Sequence, residues 1–521
     1  MVLTATLSAS CGDELNRALR AARERLNGLA LDESTRRQLD LACGAISPSI
    51  AIVGDCARRL AVAGFLSEAE MIFLTLQRCA PAAPAGMSGL AQLASRSHRW
   101  AVALDHWDEL LRRFPAHPNT PSWLVARAHV LLKLGCTDRA EHVFRGLLAQ
   151  RLKPWSALLG LLRVLVVTGR PEQALLELDS SEFRALESPE FVKNRLDILI
   201  RLKHLADARA QLQHLLEKSK EPLLLEILFN FTPLLYEGRE RTRTWNALLR
   251  RLDTLTDQGR YPGRGSPAAL RLRLRLALRD YAGFLQAMEA TSQPESLGIY
   301  APRLRALAAT LREQSNPEHG KPKIFGIGLS KTGTTTLGRA LHRLGYQVLD
   351  WQNPLTRELI CEDDYPLFDA FTDTPVAASF ESLFFSFRES RFIYTTRPLE
   401  SWRESMTRHW LRNYGVIAFD EIRALLATRD AFPFGRQFSD IHSSLYFNHA
   451  DLGAAYHAHD YRVRSFFRDK PRHRFLELNV FEGHGWPELC QFLDRPAPSD
   501  AFPWENRRPT HDLAACKRAS P

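Results

Sequence analysis

Five alanines, Ala69, Ala103, Ala140, Ala174 and Ala208, recur at intervals of 34, 37, 34 and 34 residues. Their surroundings recur as well: Gly64-x4-Ala69-x3-Phe73 returns as Gly135-x4-Ala140-x3-Phe144 and Gly169-x4-Ala174-x3-Leu178, and Ala103 with Trp107 and Ala208 with Leu212 fit the same frame. Glycine supplies the positive φ that ends a helix. A small alanine lets two helix axes approach, and the bulky side chain four residues on fills the groove beside it. One such helix pair cannot bury its apolar face alone, so the pattern demands stacked pairs sharing a continuous core, an all-α solenoid. After residue 215 the frame decays, and Trp245, Ala247 and Leu248, then Tyr281, Ala282 and Leu285, read as divergent or capping helices up to residue 313.

A period near 34 resembles the tetratricopeptide repeat. The resemblance implies a concave surface that binds a protein partner or an acceptor; the alternative is that these helices only pack on the domain that follows. Gln314 to Pro322, rich in Pro, Gly and polar residues, reads as a linker (314–322) between a repeat domain (1–313) and a second domain (323–521).

The 521 residues carry a formal charge of +10. That surplus would ordinarily suggest nucleic acid or an anionic surface as partner, so its location matters. Residues 321–521 hold 26 basic and 25 acidic side chains, against 43 and 34 in residues 1–320. In the repeats the surplus is scattered among Leu and Ala, as in Arg271-Leu-Arg273-Leu-Arg275, which reads as a solvated helix face and does not favour nucleic acid. A remaining use is attraction of an acidic acceptor or partner.

The eight cysteines show no Cys-x-x-Cys and no zinc spacing. With no basic, apolar leader in Met1 to Cys11 and no apolar run near 18 residues, the expectation is a cytoplasmic protein without a transmembrane segment.

From Lys323 the pattern changes to short apolar runs alternating with helices, which predicts a parallel sheet covered on both faces. Strands are expected at 323–329, 347–351, 367–373, 391–396 and 475–480. The chemistry concentrates between the first strand and the helix at 335–344, in Gly328-Leu-Ser-Lys331-Thr-Gly333-Thr334-Thr335-Thr336. A strand running through Gly, Lys and three Thr into a helix is built for phosphate, because backbone N–H groups and the helix N-terminus converge on one anion.

Two familiar phosphate loops fit poorly. In a triphosphatase loop counted from Gly328 and Gly333, the lysine position is Thr334, and no strand clearly ends in a magnesium-binding Asp. In a dinucleotide fingerprint starting at Gly326 and Gly328 the third glycine would be Lys331, although Asp350 stands where a ribose-binding acid belongs.

The stretch Gly326 to Thr336 instead resembles the 5′-phosphosulfate loop of sulfotransferases that use 3′-phosphoadenosine 5′-phosphosulfate (PAPS). By that resemblance Ser330, Lys331, Thr332, Gly333, Thr334, Thr335 and Thr336 hold the 5′ side of PAPS, with Lys331 at the phosphosulfate bridge. Arg397 at the end of the fourth strand and Ser405 eight residues on would grip the 3′-phosphate. Phe371-Thr-Asp373-Thr-Pro375, Tyr456-x2-His459-x3-Val463, Leu476 to Val480, Gly485 to Leu493 and Phe502-Pro-Trp-Glu-Asn506 also look like a bacterial-type branch of that family. The resemblance spans the carboxy-terminal 200 residues or so and implies a P-loop-like α/β sulfotransferase domain without metal.

Sulfuryl transfer needs a base for the acceptor hydroxyl or amine and stabilisation of the departing phosphate oxygen. Lys331 serves the second. Asp373, two residues before Pro375, stands where the family's small-molecule branch has its histidine and is the first candidate for the base; a cap on the following turn is its structural alternative. Asp350 and the Glu362-Asp363-Asp364 cluster are further acids, the cluster reading as a solvated loop. His457-x-His459-Asp460 reads as a polar helix face and not a metal site, and Trp402 as helix packing more than an adenine platform. Loops after the second strand and between Asn413 and Asp451 should shape the acceptor pocket, with Phe432-Pro-Phe434 offering apolar contact. Carbohydrate, lipid, small-molecule and peptide acceptors all remain open. The rival readings are a nucleotide kinase or triphosphatase, and a repeat scaffold whose second domain only binds a phosphonucleotide.

Overall fold

The computed structural model describes residues 9–26, 33–44, 49–63, 65–186, 188–218, 222–257, 267–291, 294–313, 322–414, 418–427 and 434–503. Residues 314–321 of the expected linker, Gly64 of the first repeat, Phe432, Pro433 and Trp504 to Asn506 lie outside them. Met1–Leu165 and Val166–Arg507 form two compact units.

The first unit is helical in all its described elements, from Ala9–Arg25 to Thr137–Ala149 and into Pro154–Val167. Ala69, Ala103 and Ala140 are fully buried, and Phe73, Trp107 and Phe144 are buried beside them. Gly135 has φ 82°, the left-handed turn the repeat requires of it. Two of the aromatics also have partners outside the repeat frame. A Cβ on Gly89 would lie 2.2 Å from the Phe73 ring, and one on Gly160 would lie 2.2 Å from the Phe144 ring. Each of these rings therefore rests on a glycine of the next helix.

In the second unit the repeat frame continues through buried Ala174 and Ala208. Pro222–Leu235, Gly238–Asp257, Pro267–Ala277, Tyr281–Glu289 and Ala301–Glu313 follow as helices, with Trp245 and Leu248 buried. Five parallel strands then form one sheet: β1 (Ile324–Gly326), β2 (Val348–Asp350), β3 (Ala370–Thr372), β4 (Arg391–Thr395) and β5 (Phe475–Leu478), in the order β2-β3-β1-β4-β5. Each is shorter than its apolar run, because the flanking residues turn into the loops above the sheet.

Leu272, Leu276, Phe284, Leu304 and Leu307 of the late helices share one buried cluster with Phe325, Phe371, Phe380 and Phe392 of the sheet and its cover. The change from helices to strands near residue 314 is thus a change of secondary structure within a continuous core. One expectation fails here. Arg271 and Arg275 pair with Asp253 and Asp280, but Arg273 is 1% exposed and not solvated. Leu270, Leu272, Leu274 and Leu276 are buried around it, so Arg273 faces the core while Arg271 and Arg275, on the other side of the helix, stay partly exposed. Its guanidinium instead donates to the Leu355 carbonyl at 3.0 Å, to Glu226 at 2.9 Å and to Asn230 at 2.9 Å, between the rings of Phe229 and Tyr300.

Because β1 is flanked by β3 and β4, the chain order reverses at its carboxyl end. In an open parallel sheet this is where a ligand crevice forms. The ends of β1, β2, β3 and β4 deliver Lys331, Asp350, Asp373 and Arg397 to that side.

Candidate active site

The backbone after β1 is shaped for close approach. A Cβ on Gly328 would sit 2.0 Å from the Thr395 hydroxyl and 2.6 Å from that of Thr332, so only glycine lets the loop lie against β4. Thr332 donates to the Leu329 carbonyl at 2.6 Å and meets the Thr395 hydroxyl at 2.8 Å. Lys331 (φ 71°) and Gly333 (φ 107°) then turn the chain into the helix Thr334–Arg343, whose first turn has no side-chain cap. An uncapped N-terminus, with its dipole and first-turn N–H groups, offers donors to an anion.

Asp373 draws this loop toward β3. Its carboxylate accepts from the Ser330 hydroxyl at 2.6 Å, the Thr334 hydroxyl at 2.9 Å and the Thr374 N–H at 2.7 Å. It thereby caps the helix Thr374–Ser386 and buckles both ends of the loop, itself at φ 79°. On the other flank the Arg397 guanidinium donates to the Lys331 carbonyl at 3.1 Å and to the Ser401 hydroxyl at 2.9 Å, over the Phe481 ring. Ser330, Lys331, Thr332, Gly333, Thr334 and Arg397 are thus brought together, with Thr335 and Thr336 in the helix's first turn. Ser405 stands one turn beyond Ser401 with no hydrogen bond to a described residue.

Asp350, at the end of β2, accepts from the Thr372 hydroxyl at 2.7 Å and from Thr335. Burial, and then the Asp373 charge, push its carboxyl up to about 6. It lies against the phosphate-loop helix, with its Cβ 3.7 Å from where a side chain on Gly338 would begin.

Several expectations change. On the polar face His457-x-His459-Asp460, His459 is buried with its Nε2 2.9 Å from the Ile327 carbonyl and Asp460 accepts from Tyr394 of β4 at 3.0 Å, while His457 is exposed, so the face is partly an anchor for β1 and β4. Of the acidic cluster, Glu362 and Asp363 are exposed, but Asp364 is buried and accepts from Asn353 at 2.7 Å. Trp402 packs as expected, fully buried in an apolar cluster, and also donates to the Ser330 carbonyl at 2.8 Å, holding the loop. The described part of the stretch from Asn413 to Asp451 is mostly helical, in Phe419–Ala427 and Gly435–His442 and then the π-turn Ser443–Phe447, with a turn at 448–451, because Phe434, Phe438 and Leu445 recur at helical spacing and are buried.

The site also has members that local spacing did not flag. Tyr446 accepts the Ser330 N–H at 3.1 Å, across 116 positions of chain. His442 lies one helical turn before it. Only the i, i+4 pairing of His and Tyr in a helix-compatible run hinted that they share a face. Among the described residues no group of three or more His, Cys, Asp or Glu could hold a metal ion.

Comparison with known families decides what kind of domain this is: residues 323–511 match the family model described as a sulfotransferase domain. Residues 323–511 form a sulfotransferase domain. The matched stretch begins at the phosphate-loop strand and includes all four strand-end residues named above. Among curated proteins no sequence matches the chain. Among solved structures, a tetratricopeptide repeat protein from Parabacteroides merdae is similar at 14% identity over 48% of this chain and 94% of that one, with a TM-score of 0.33. The repeat reading stands on the buried alanine frame. Arg279 and Arg241, from the helical stretch before the sulfotransferase domain, both pair with its buried Glu358, and Arg279 also with Asp363. The loop after β2 is therefore held from the helical side.

Proposed function

We propose that this chain transfers a sulfuryl group from PAPS to a hydroxyl or amine of an acceptor. The observation that carries the reading is the joining of two anion-binding elements: Arg397 donates to the carbonyl of Lys331 itself, 3.1 Å away. A ligand with phosphate groups at two ends of one nucleoside fits such an arrangement, with the 5′ end on the loop from Ser330 to Thr336 and the 3′-phosphate at Arg397 and Ser405. Ser401, already bonded to Arg397, orients the guanidinium for a forked contact. The close-packed Gly328 and the uncapped helix start fit a ligand bound by backbone groups, and Lys331 supplies a point charge for the oxygen that leaves sulfur.

A kinase or triphosphatase is less well served, since Lys331 precedes the glycine that opens the helix. Calorimetric titration with 3′-phosphoadenosine 5′-phosphate, and with ATP and Mg²⁺, each with and without chelator, separates these readings. Chelator-insensitive binding of the bisphosphate supports the transferase; preference for Mg²⁺·ATP overturns it. The scaffold reading predicts binding without transfer of labelled sulfate into fractionated cell extract.

A further inference from the structure

We propose that His442 is the general base that takes the acceptor's proton, a role that rests on the sulfuryl-transfer reading above. Its Nδ1 lies 2.9 Å from the Phe438 carbonyl. A carbonyl oxygen only accepts, so Nδ1 carries the hydrogen and Nε2 keeps its lone pair. No described residue bonds that Nε2. The ring is fixed in plane by stacking on Phe438, with centroids 3.8 Å apart.

Position points the same way. His442 ends its helix directly before the π-turn Ser443–Phe447, a geometry that often marks functional sites. One turn on, Tyr446 touches the phosphate loop through Ser330, and its ring centroid is 5.8 Å from that of His442. Ser330 in turn bonds Asp373. Both oxygens of Asp373 already accept hydrogen bonds, from three donors in all, which leaves it ill placed to collect a further proton. Its charge acts on the His442 ring, favouring the imidazolium, and is the charged side chain that does so among the described residues. Burial holds the ring down at about 4, so it is neutral, with the Nε2 lone pair unprotonated, before the nucleotide arrives. A phosphosulfate beside it adds negative charge and raises its basicity as the proton moves.

In the step, the acceptor oxygen bonds to sulfur while its proton passes to Nε2. The bond from sulfur to the 5′-phosphate oxygen breaks, and the electron pair stays on that oxygen near Lys331.

The test uses the full chain, labelled PAPS with water as acceptor, and 3′-phosphoadenosine 5′-phosphate as binding probe. His442→Gln and His442→Asn should bind the bisphosphate within about threefold of wild type yet release sulfate about 10²–10³-fold more slowly, without the wild-type acid limb of the pH profile. In the wild type, the histidine ¹⁵N signal absent from both variants should report an Nδ1–H tautomer whose titration midpoint rises when the bisphosphate binds. Release within about threefold of wild type in either folded variant, or a ring signal unmoved by the bisphosphate, overturns the proposal. Failure of the wild type to bind the bisphosphate overturns the sulfuryl-transfer reading, and the base with it. Intact binding and release with an indifferent His442 removes the base alone.

Discussion

Lys331, Gly328 and Asp350 hold different jobs, and each predicts a different outcome. Lys331→Ala removes one charge from the anion site, at about 1.5–3 kcal/mol for a charge-assisted bond. Bisphosphate affinity should fall by about 10–10²-fold in titration with the melting temperature nearly unchanged. Gly328→Ala places a Cβ 2.0 Å from Thr395, so both binding and stability should suffer, read by the same titration and a melt. Asp350 behaves oppositely to an ordinary stabilising carboxylate. Its folded value is raised from 3.8 to about 6, so the protonated form is the favoured one in the fold. The cost is absent below the unfolded value, grows as pH rises through that interval, and is complete above about 6. Asp350→Asn should therefore stabilise the protein at pH 8, by at most about 3 kcal/mol at ~1.4 kcal/mol for each pH unit of that interval, and leave it unchanged at pH 4. Denaturant melts at the two pH values read the difference, and equal effects at both would contradict the assignment.

At the scale of elements, legibility followed locality. The strand–loop–helix from β1 to Arg343 was readable because glycine, lysine and threonine crowd into nine consecutive positions, 328–336. The alanine frame was readable because each repeat restates it. Tyr446, with His442 one turn before it, was not, since long-range packing alone brings Tyr446 to Ser330. Nor was the positive φ of Trp351 after β2, an unusual conformation for a bulky residue that no local pattern announces. Arg273 misled for a related reason: alternating Arg and Leu puts Arg271 and Arg275 on the partly exposed side of the helix but turns Arg273 into the core. Arg273→Ala leaves Asn230 and the Leu355 carbonyl without the guanidinium and Glu226 with the Tyr300 hydroxyl in its place, and should cost about 3–5 kcal/mol, as breaking a buried charged cluster does. A denaturant titration measures it; a loss under about 1 kcal/mol would show the cluster to be dispensable. Gly160→Ala, driven into the Phe144 ring, should cost about 1–3 kcal/mol.

For the whole molecule, the +10 charge proved a poor guide to the chemistry. Under the proposed reading the sulfotransferase domain would meet its anion with a few placed groups, while several arginines of the helices before it are spent on internal contacts to Glu226, Glu358, Asp363 and the Leu355 carbonyl. The central claim is that one crevice at the carboxyl ends of β1, β3 and β4 binds a 3′,5′-bisphosphorylated adenosine without metal. Its most direct measurement is calorimetric titration of the full chain with 3′-phosphoadenosine 5′-phosphate in chelator, beside Lys331→Ala and Arg397→Ala. Saturable binding in the wild type and a loss of at least about tenfold in each variant are the predicted results. Unchanged affinity in both variants, or binding that requires Mg²⁺ and prefers ATP, would contradict the claim.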